Sequence, residues 1–476
     1  MAEAKMYKRE DNPTPPIWLA LIPILVTGTS LGFSVFLYDA EPHFSLLLGA
    51  AAAGICAYAW GYEWSGIKDG FKYSISRTAP SLIILLIIGM LISVWIASGI
   101  VPALMYLGLH FFVAEWFLPL ILFFCCIMAL VTGSSWSTIG TIGVAAIGVS
   151  EGLGIPLHIT AGAVVSGSFF GDKLSPMSDT TNITPSVLGV NLYDHIRHML
   201  YTTVPALLIT AVIFTIIGFI LNGNGGNGSD ISLYTEGILD NFRLTPWLII
   251  PPVIVITLIV SKVPAIPSLL AGVLLGGAAY LILQGGTLGE LLTAIHSGYV
   301  LDSPQEEINE LFNRGGMESM YNVVALAMFA LVFGGIMNNT GMLHSIVLSI
   351  TSLITSVGNL TLTVLITSLF INIFGANQYL AVILPGQMFE ECYRDKKLKL
   401  KNLTRTLEAG GTLTSPLIPW NSSAVFVYSA LGIPVVAYAP YAFLCWITFI
   451  VAAVWGYTGI SMHKTGEGEE EEDCNQ

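Results

Sequence analysis

The sequence has little charge, few cysteines and no nucleotide-binding loop. Only 10% of its 476 residues are Asp, Glu, Lys or Arg, less than half of the share of about 25% usual in soluble domains. A net charge of −13 gives no reason to expect a nucleic-acid partner. The six cysteines form neither a disulfide framework nor a metal-binding spacing. No Gly-x-x-x-x-Gly-Lys loop occurs, so ATP is not expected to be the energy source.

Apolar sequence dominates instead. Hydrophobic residues make up 54% of the chain, and apolar runs of about 17 to 25 residues recur along it, the length needed to cross a bilayer. The buried strands of a soluble α/β enzyme are only about 4–8 residues long. The sequence therefore predicts an all-α polytopic membrane protein, and a soluble enzyme is excluded.

Two inverted repeats of about five transmembrane helices are predicted. The predicted divisions are a cytoplasmic N-terminal segment (1–16), a first repeat (17–221), a Gly/Asn-rich linker (222–244), a second repeat (245–459) and an acidic cytoplasmic tail (460–476). The first-half spans are Ile17–Tyr38, His43–Tyr62, Ser81–Ser98, a broken span His158–Val190, and His198–Leu221. The second-half spans are Thr245–Ser261, Ala265–Gln284, Met320–Asn338, a broken span Leu403–Ala430, and Pro434–Tyr457.

Each half also has two apolar arms around a Gly-containing polar tip, which predicts a re-entrant hairpin. The arms are Leu118–Val131 and Ile139–Val149, then Leu360–Phe374 and Leu380–Phe389. At about 10–14 residues, such arms are too short to span, and they would end at mid-depth. Gly133 matches Gly375, and Ser175 matches Ser415, at an offset of about 240 residues. A constant offset of this kind indicates an internal transporter repeat.

The positions of Lys and Arg predict that both termini are cytoplasmic. Lys5, Lys8 and Arg9 precede the first span. With five spans in each half, the acidic loop Asp302–Arg314 lies outside and the basic loop Arg394–Arg405 lies inside. It remains open whether 101–112 and 342–357 are full spans, in which case the hairpins would enter from the opposite faces.

The most unusual stretch is Ser166–Pro185, which places charge and hydroxyls within apolar, Gly- and Ala-rich sequence. Pro176 and Pro185 each break the helical hydrogen-bond ladder, and carbonyls freed at depth are tolerated only inside protein or beside water. Intramembrane acids mark ion pathways. These features predict a cation site in a broken helix. Its predicted oxygen donors are Asp172, Ser175, Asp179, Thr180 and Asn182, with the hairpin-tip serines Ser134, Ser135 and Ser137; Asp172 and Asp179 would hold Na⁺.

Other roles for these residues were weighed against ion binding. The two aspartates could form a structural ion pair or cap a helix end, and the tip serines could be small packing residues. Lys173 could snorkel to an interface, although pairing with one aspartate is favoured. The cluster of Asp194, His195 and His198 is expected to be interfacial rather than proton-sensing.

The second half supplies mainly neutral groups. Asn377, Gln378, Ser415 and Asn421 offer oxygens and amide donors that suit a carboxylate or polar substrate as well as a cation. Glu408 could equally be a coupling carboxylate or a charge at the cytoplasmic edge. If Na⁺ and H⁺ compete for Asp172 and Asp179, and the empty charged site cannot cross, obligatory exchange follows. Replacing either aspartate with asparagine would then abolish exchange.

The stretch GDKLSPMSDTTN, Gly171–Asn182, closely resembles the signature GDKxSPxSDTTN of the NhaC-type sodium/proton antiporters. The second-half TSPLIPWNS and the tips GSSW and GANQ are similar to that family's pattern too, and the likeness covers roughly Ile17 to Tyr457. The resemblance implies inverted repeats, re-entrant hairpins, a homodimer, and a bacterial or archaeal inner membrane. It also implies that Asp172, Ser175, Asp179, Thr180 and Asn182 bind the ion.

The first hypothesis is therefore a Na⁺/H⁺ antiporter that needs no cofactor beyond the transported ions. The alternative is Na⁺- and proton-linked exchange of a small organic anion, such as malate or lactate, or of an amino acid. An intramembrane aspartyl protease would need a Gly-x-Gly-Asp turn where this chain has Phe169-Phe170-Gly171-Asp172. A passive channel is disfavoured by paired intramembrane acids and matching halves.

Overall fold

The computed structural model describes residues 14–38, 40–111, 113–223, 228–261, 263–350 and 354–465. Within these ranges the regular secondary structure is helical, apart from one isolated bridge between Leu398 and Lys464. The basic residues near the N-terminus, residues 224–227 of the predicted linker and residues 466–476 of the acidic tail lie outside the described residues.

The helices follow one another with short connections. Up to residue 223 they are α1 (Ile17–Gly32), α2 (His43–Ala59), α3 (Trp64–Ala97), α4 (Ile100–Phe111), α5 (Ala114–Thr132), α6 (Ser135–Thr138), α7 (Val144–Gly152), α8 (Leu157–Leu174), α9 (Asp179–Val187) and α10 (Leu192–Gly223). After it they are α11 (Gly228–Asn241), α12 (Ile250–Val260), α13 (Ala265–Ala279), α14 (Leu288–Ser297), α15 (Glu306–Phe312), α16 (Tyr321–Asn339), α17 (Met342–Ile350), α18 (Val357–Gly375), α19 (Gln378–Asp395), α20 (Leu400–Leu407), α21 (Ser422–Leu431), α22 (Val435–Tyr438) and α23 (Phe443–Thr458). The π-helical turns are Phe33–Leu37, Ile139–Gly143, Tyr280–Gln284 and Glu408–Thr412.

Six helices in the described residues are long and apolar enough to cross a bilayer, and up to eight if each bent pair is one span. The six are Thr78–Ala97, Ala114–Thr132, Leu192–Leu221, Ile266–Gln284, Glu318–Asn339 and Val357–Gly375. Their lengths match the roughly 17–25 residues that a bilayer core requires. The predicted all-α polytopic class is confirmed: this is a multi-pass membrane protein.

Both predicted breaks interrupt a helix. In the first half α8 ends at Leu174 and α9 begins at Asp179. In the second half the π-helical turn Glu408–Thr412 follows α20, and α21 begins only at Ser422. Pro176 and Pro416 lie in these interruptions, and proline removes a backbone donor from the helical ladder. The local sequence signal was sufficient to locate both breaks.

The expectation that the hairpin arms are too short to span is wrong for the first arm of each half. Both α5 and α18 have 19 residues and are apolar enough to cross a bilayer. The uninterrupted apolar run underestimates each helix because polar residues at its beginning, Glu115 and Asn359, are helical too. Interfacial polar residues belong to a membrane helix although a hydropathy count stops at them.

The two segments left open by the sequence are short helices. The first segment, 101–112, corresponds to α4 (Ile100–Phe111), which has 12 residues. The second, 342–357, begins with α17 (Met342–Ile350), which has nine. Residues 112 and 351–353 lie outside the described residues. Both helices are shorter than the roughly 17 residues of a minimal span.

Three other expectations differ from the structure. The third span was predicted from Ser81, but α3 begins at Trp64 and continues for 34 residues, about 51 Å at 1.5 Å per residue. Pro434–Tyr457 was expected to be one span, but α22 and a 3₁₀ turn precede α23, because Pro440 has no amide donor to continue a helix. Within the predicted linker, 228–241 form the helix α11.

Helices approach closely where glycine replaces a side chain. A Cβ at Gly167 would lie 2.3 Å from the Leu122 carbonyl oxygen, and one at Gly171 would lie 2.2 Å from the Cys126 carbonyl oxygen. Only glycine allows α8 to pack at this distance on α5. The contact fixes the end of α8, and therefore the first break, against the first hairpin arm.

The two halves pack through each other's broken helices. Trp136, in the first hairpin turn, stacks on Phe426 of α21 with ring centroids 4.3 Å apart. In the other half, a Cβ at Gly386 of α19 would contact Val187 of α9 at 3.6 Å. The second arm of each hairpin thus lies against the helix that follows the break of the other half.

Candidate ion-binding site

Polar side chains close the first break, Ser175–Ser178. The Thr181 hydroxyl donates to the carbonyl oxygens of Asp172 (3.2 Å) and Lys173 (3.0 Å) at the end of α8. The Asn182 amide donates to the carbonyl oxygens of Pro176 (2.8 Å) and Ser178 (2.7 Å). These bonds satisfy carbonyls that a proline-interrupted helix leaves without partners. Side-chain hydrogen bonds therefore hold the break in a defined conformation. Thr181, which sequence reasoning did not select, makes two of them.

The turn of the first hairpin faces this break. Gly133 adopts a left-handed conformation with φ of +67°, and a Cβ there would lie 2.7 Å from the Met177 side chain. Ser134 then caps α6 by accepting a hydrogen bond from the Ser137 amide at 3.1 Å. A left-handed glycine followed by a serine cap turns the chain sharply. As a result, the next residue, Ser135, points at the end of α8.

Asp172 and Ser135 form the centre of the site. The Ser135 hydroxyl donates a 2.6 Å hydrogen bond to Oδ2 of Asp172. Asp172 is only 9% exposed and Ser135 only 1%. The Ser135 backbone amide and the Ser178 hydroxyl also act on the same carboxylate. A hydrogen bond to a charged group in a buried site is among the stronger ones in proteins.

The remaining signature residues divide between interior and surface. Ser175 and Thr180 are buried, with the Ser175 hydroxyl accepting from the Met177 amide and Thr180 bonded to Ser178 at 3.2 Å. Asp179 and Asn182 are exposed at the protein surface. Asp179 still interacts electrostatically with Asp172. The two aspartates therefore occupy different surroundings, one interior and one accessible.

Lys173 faces a different partner from the one that sequence reasoning favoured. It is completely buried, and the charged side chain that acts on it most strongly is Glu408, not an aspartate. Glu408 is buried as well, so it is no edge charge, and it accepts a hydrogen bond from the Thr184 hydroxyl. Glu408 and Lys173 come from different halves of the chain, which explains why local sequence could not pair them.

The second break has a neutral network. Gln378 Oε1 accepts hydrogen bonds from the hydroxyls of Ser415 (3.3 Å) and Ser423 (3.0 Å). The Asn421 amide donates to Asn372 Oδ1 at 3.0 Å. The Asn372 amide in turn bonds Thr414. Sequence reasoning missed Asn372, although a lone asparagine within the apolar run Leu360–Phe374 was a usable signal.

Asn377 has a capping role at the second hairpin turn. Its side-chain oxygen accepts from the amides of Tyr379 and Leu380, and its amide nitrogen donates to Thr78 on α3 at 3.1 Å. The left-handed residue just before it is Ala376, with φ of +50°. Backbone conformation therefore matches Ala376, rather than Gly375, with the left-handed Gly133 of the first turn.

The histidines of α10 are buried against α20. His195 Nδ1 bonds the Thr404 hydroxyl at 2.8 Å, and His198 Nε2 bonds Asn402 Oδ1 at 3.1 Å. Their exposures are 0% and 2%, so neither ring is accessible. The His198 ring also contacts His463, which lies beyond the last span. Partial burial and the positive charges of Lys401, Arg405 and Lys399 lower the pKa of His463.

Within the described residues, three or more His, Cys, Asp or Glu side chains nowhere gather as a metal-binding group. The first break instead offers one buried carboxylate with hydroxyl and carbonyl oxygens around it. Hard monovalent cations accept such mixed oxygen sets.

The fold and the site together define a multi-pass membrane protein with a buried carboxylate at an interrupted helix, as expected of an ion-coupled transporter. The chain belongs to the Na⁺/H⁺ antiporter family, whose sequence model matches residues 16–181 and 167–460. The resemblance to NhaC-type antiporters is confirmed. The protein is thus an antiporter and not an enzyme, which removes the protease alternative.

Curated relatives cover most of the chain. The malate-2H⁺/Na⁺-lactate antiporter of Bacillus subtilis (strain 168) is 37% identical over 429 residues, covering 90% of this chain and 92% of the relative. The Na⁺/H⁺ antiporter NhaC of the same organism is 37% identical over 424 residues, covering 89% and 94%. The arginine/ornithine antiporter ArcD of Halobacterium salinarum (strain ATCC 700922 / JCM 11081 / NRC-1) is 36% identical over 475 residues, covering 99% and 98%.

Proposed function

We propose that this antiporter exchanges Na⁺ for H⁺ by alternating access, with Asp172 as the carboxylate that the two ions share. The observation that carries the proposal is the hydrogen bond from Ser135 to the buried Asp172 carboxylate. It joins the only acid at the end of α8 to the turn of the first hairpin. An ion bound there would touch two separate chain segments, as an alternating-access mechanism requires.

The chemistry of competition follows from charge. A carboxylate in a poorly hydrated site is stabilised when either a proton or a cation neutralises it. Na⁺ would take oxygens of Asp172, Ser135, Ser175 and Thr180 and displace the proton. Because an empty, charged site crosses at a high energetic cost, the site crosses only when Na⁺ or H⁺ occupies it. After one ion has left on one side, the other must bind there before the site can return.

Asp179 has a different part in this mechanism. Its exposure makes it accessible to hydrated Na⁺, and its negative charge acts on Asp172. We assign Asp179 and Asn182 to the entrance of the site, where they raise the local Na⁺ concentration. The serines Ser134 and Ser137 support the turn, and Asn377, Gln378, Ser415 and Asn421 form the corresponding polar wall in the second half.

The larger arrangement belongs to the same proposal. We propose two inverted repeats, 17–221 and 245–459, each with a helical hairpin whose first arm is long enough to span and with a broken helix. The matching order of hairpin and break in both halves supports this division. We also propose that the protein is a homodimer in a bacterial or archaeal cell membrane, with both termini in the cytoplasm.

Reconstitution tests the proposal directly. Purified protein in proteoliposomes containing a pH-sensitive dye should release internal protons when Na⁺ is added outside, without ATP. Asp172→Asn protein, inserted equally well, should give no Na⁺-dependent signal. Wild-type proteoliposomes that remain silent to Na⁺, while a known Na⁺/H⁺ antiporter responds in parallel, would refute Na⁺/H⁺ exchange.

A second candidate is Na⁺- and proton-coupled exchange of a small organic anion or amino acid. The neutral network of Gln378, Ser415 and Ser423 favours it, because amides and hydroxyls recognise carboxylates as well as cations. Relatives named for malate/lactate and for arginine/ornithine exchange support the same possibility. Na⁺-dependent uptake of radiolabelled malate, lactate or arginine into the same proteoliposomes would establish it, and uptake equal to that of empty liposomes would exclude it.

A further inference from the structure

A second buried carboxylate lies close enough to Asp172 to interact with it electrostatically. Glu408 has no exposed surface, and it comes from the second broken helix, at the first residue of the π-helical turn Glu408–Thr412. Such π-helical turns are frequent at functional sites. The Na⁺/H⁺ competition at Asp172 does not use Glu408, so its burial needs a separate account.

The two oxygens of Glu408 have different surroundings. Oε1 accepts a hydrogen bond from the Thr184 hydroxyl of α9, on the far side of the first break. Oε2 makes no hydrogen bond of normal geometry among the described residues, although the Thr412 side chain also acts on the Glu408 carboxylate. Nζ of the buried Lys173 has no hydrogen-bond partner in the same part of the chain. A fixed ion pair is retained in an interior only when its remaining donors and acceptors are satisfied. Glu408 and Lys173 are therefore not built as a static structural pair.

The charged groups that act on Glu408 are Lys173 and Asp172, both on α8. Lys173 in turn interacts with Arg405 on α20, His195 on α10 and Cys445 on α23. Arg405 is held away by the C-terminal segment, where its guanidinium donates to the Ser461 hydroxyl at 2.5 Å. His195 donates to or accepts from Thr404. Lys173 is thus the cation that acts on Glu408 most strongly.

These surroundings suit reversible protonation. Burial favours the neutral carboxyl, whereas the Lys173 ammonium favours the carboxylate, and the two effects oppose each other. Thr184 can keep its hydrogen bond in both states, because a hydroxyl can donate to a carboxylate or accept from a carboxyl. The Glu408 side chain therefore keeps this hydrogen bond in both protonation states, and what changes between them is the negative charge opposite Lys173.

From this geometry we infer that Glu408 is a second proton-binding carboxylate, so that two protons cross in exchange for each Na⁺. The inference rests on the proposed Na⁺/H⁺ exchange and adds its stoichiometry. With Na⁺ bound, Asp172 is neutralised by Na⁺ and Glu408 by Lys173. With protons bound, Asp172 and Glu408 are both neutral carboxyls and Lys173 stays charged. The two loaded states differ by one positive charge, so exchange is electrogenic.

The proposed stoichiometry is tested in proteoliposomes by the reversal condition, which is the combination of Na⁺ and pH gradients at which net exchange stops. With the membrane voltage held at zero, a tenfold Na⁺ gradient is balanced by about half a pH unit if two protons exchange per Na⁺, and by about one unit if one does. We expect the first value for the wild type. Glu408→Gln should shift it to the second and make exchange insensitive to voltage, and Glu408→Asp should restore the wild-type value.

A separate measurement distinguishes a loss of proton coupling in Glu408→Gln from misfolding of the variant. Exchange of radiolabelled Na⁺ for unlabelled Na⁺ at equal pH needs Asp172 but no proton movement, and Glu408→Gln should retain it. A Glu408→Gln protein with the wild-type reversal condition would overturn the inference, and so would one that loses Na⁺/Na⁺ exchange despite normal insertion. If wild-type protein exchanges no Na⁺ for protons at all, it is the proposed function that fails.

Discussion

The two helix breaks place different chemistry at corresponding positions of the chain. The first break carries Asp172 and Asp179, with one acid buried and one exposed. The second break begins at a buried acid, Glu408, which accepts a hydrogen bond from Thr184. The groups that follow it, Gln378, Asn421 and their hydroxyl partners, form hydrogen bonds and carry no charge. A network of satisfied neutral groups rigidifies its surroundings, whereas a buried acid requires a neutralising partner. This contrast supports our proposal that Na⁺ binds at the first break and that the neutral groups of the second break have a supporting role.

The largest effect that this comparison predicts is the loss of exchange in Asp172→Asn. The amide has nearly the same shape as the carboxylate but carries no negative charge with which to bind Na⁺ or H⁺. Na⁺-driven proton movement in everted vesicles should therefore disappear. Asp179→Asn is the matched control. Sequence alone predicted the same loss there, but because Asp179 is exposed, we expect exchange to continue with severalfold weaker apparent Na⁺ affinity. Equal activity in Asp172→Asn and the wild type would remove Asp172 from the mechanism.

The next effect concerns the contact between the hairpin turn and the break. Ser135→Ala removes the hydroxyl that bonds Asp172, and hydrogen bonds to charged groups contribute about 1.5–3 kcal/mol. We therefore expect the apparent KM for Na⁺ to rise at least about tenfold, measured as the Na⁺ dependence of proton flux. Ser134→Ala removes a helix cap instead and should lower thermal stability without a comparable change in KM. Similar KM values for the two variants would contradict the assignment.

A packing effect should follow at Gly171. A Cβ there would lie 2.2 Å from the Cys126 carbonyl oxygen, so Gly171→Ala must push α8 away from α5. Such overpacking costs typically about 1–3 kcal/mol, and we expect a lower melting temperature in detergent together with weakened Na⁺ binding. Gly28→Ala in α1, where a Cβ meets nothing within 4 Å, is the control and should melt like the wild type. An unchanged Gly171→Ala would argue against the close packing of α8 on α5.

The smallest effect on Na⁺/H⁺ exchange is expected in the neutral network. Gln378→Ala leaves the Ser423 hydroxyl without its acceptor, whereas the Ser415 hydroxyl keeps its 2.7 Å hydrogen bond to the Thr412 carbonyl oxygen. An unsatisfied buried hydroxyl costs about 1–3 kcal/mol of stability. The apparent KM for Na⁺ should stay within about threefold of the wild type. A larger loss of Na⁺ affinity than in Ser135→Ala would reverse the roles of the two breaks. A selective loss of organic-solute uptake would identify Gln378 with an organic-substrate site.

Local chemistry in the sequence was enough to find the candidate site. Prolines and polar residues within apolar runs located both breaks, and one of the serines selected at the first tip, Ser135, contacts Asp172. These signals are local because helix interruption depends on a residue and its immediate neighbours. The exposure of Asp179 could not be predicted in this way, since it depends on which face of α9 is covered by other helices.

The rest of the site depends on contacts between distant residues. Thr184 and Glu408 are 224 positions apart, and no local sequence pattern in either segment predicts their hydrogen bond. The same holds for His195 and Thr404, at a separation of 209. Helices α14 and α15 were missed because they lie in polar connections, where hydropathy gives no periodic signal. Tertiary packing, rather than local propensity, decides these features.

The claim that Na⁺ and H⁺ share the Asp172 carboxylate is tested most directly by the apparent KM for Na⁺ measured over a series of pH values. Competition for one carboxylate predicts that KM rises about tenfold for each unit by which the pH falls below the pKa of the site, while the maximal rate at saturating Na⁺ stays constant. A KM that does not change with pH, combined with a maximal rate that falls, would contradict a shared site and place the two ions on separate groups.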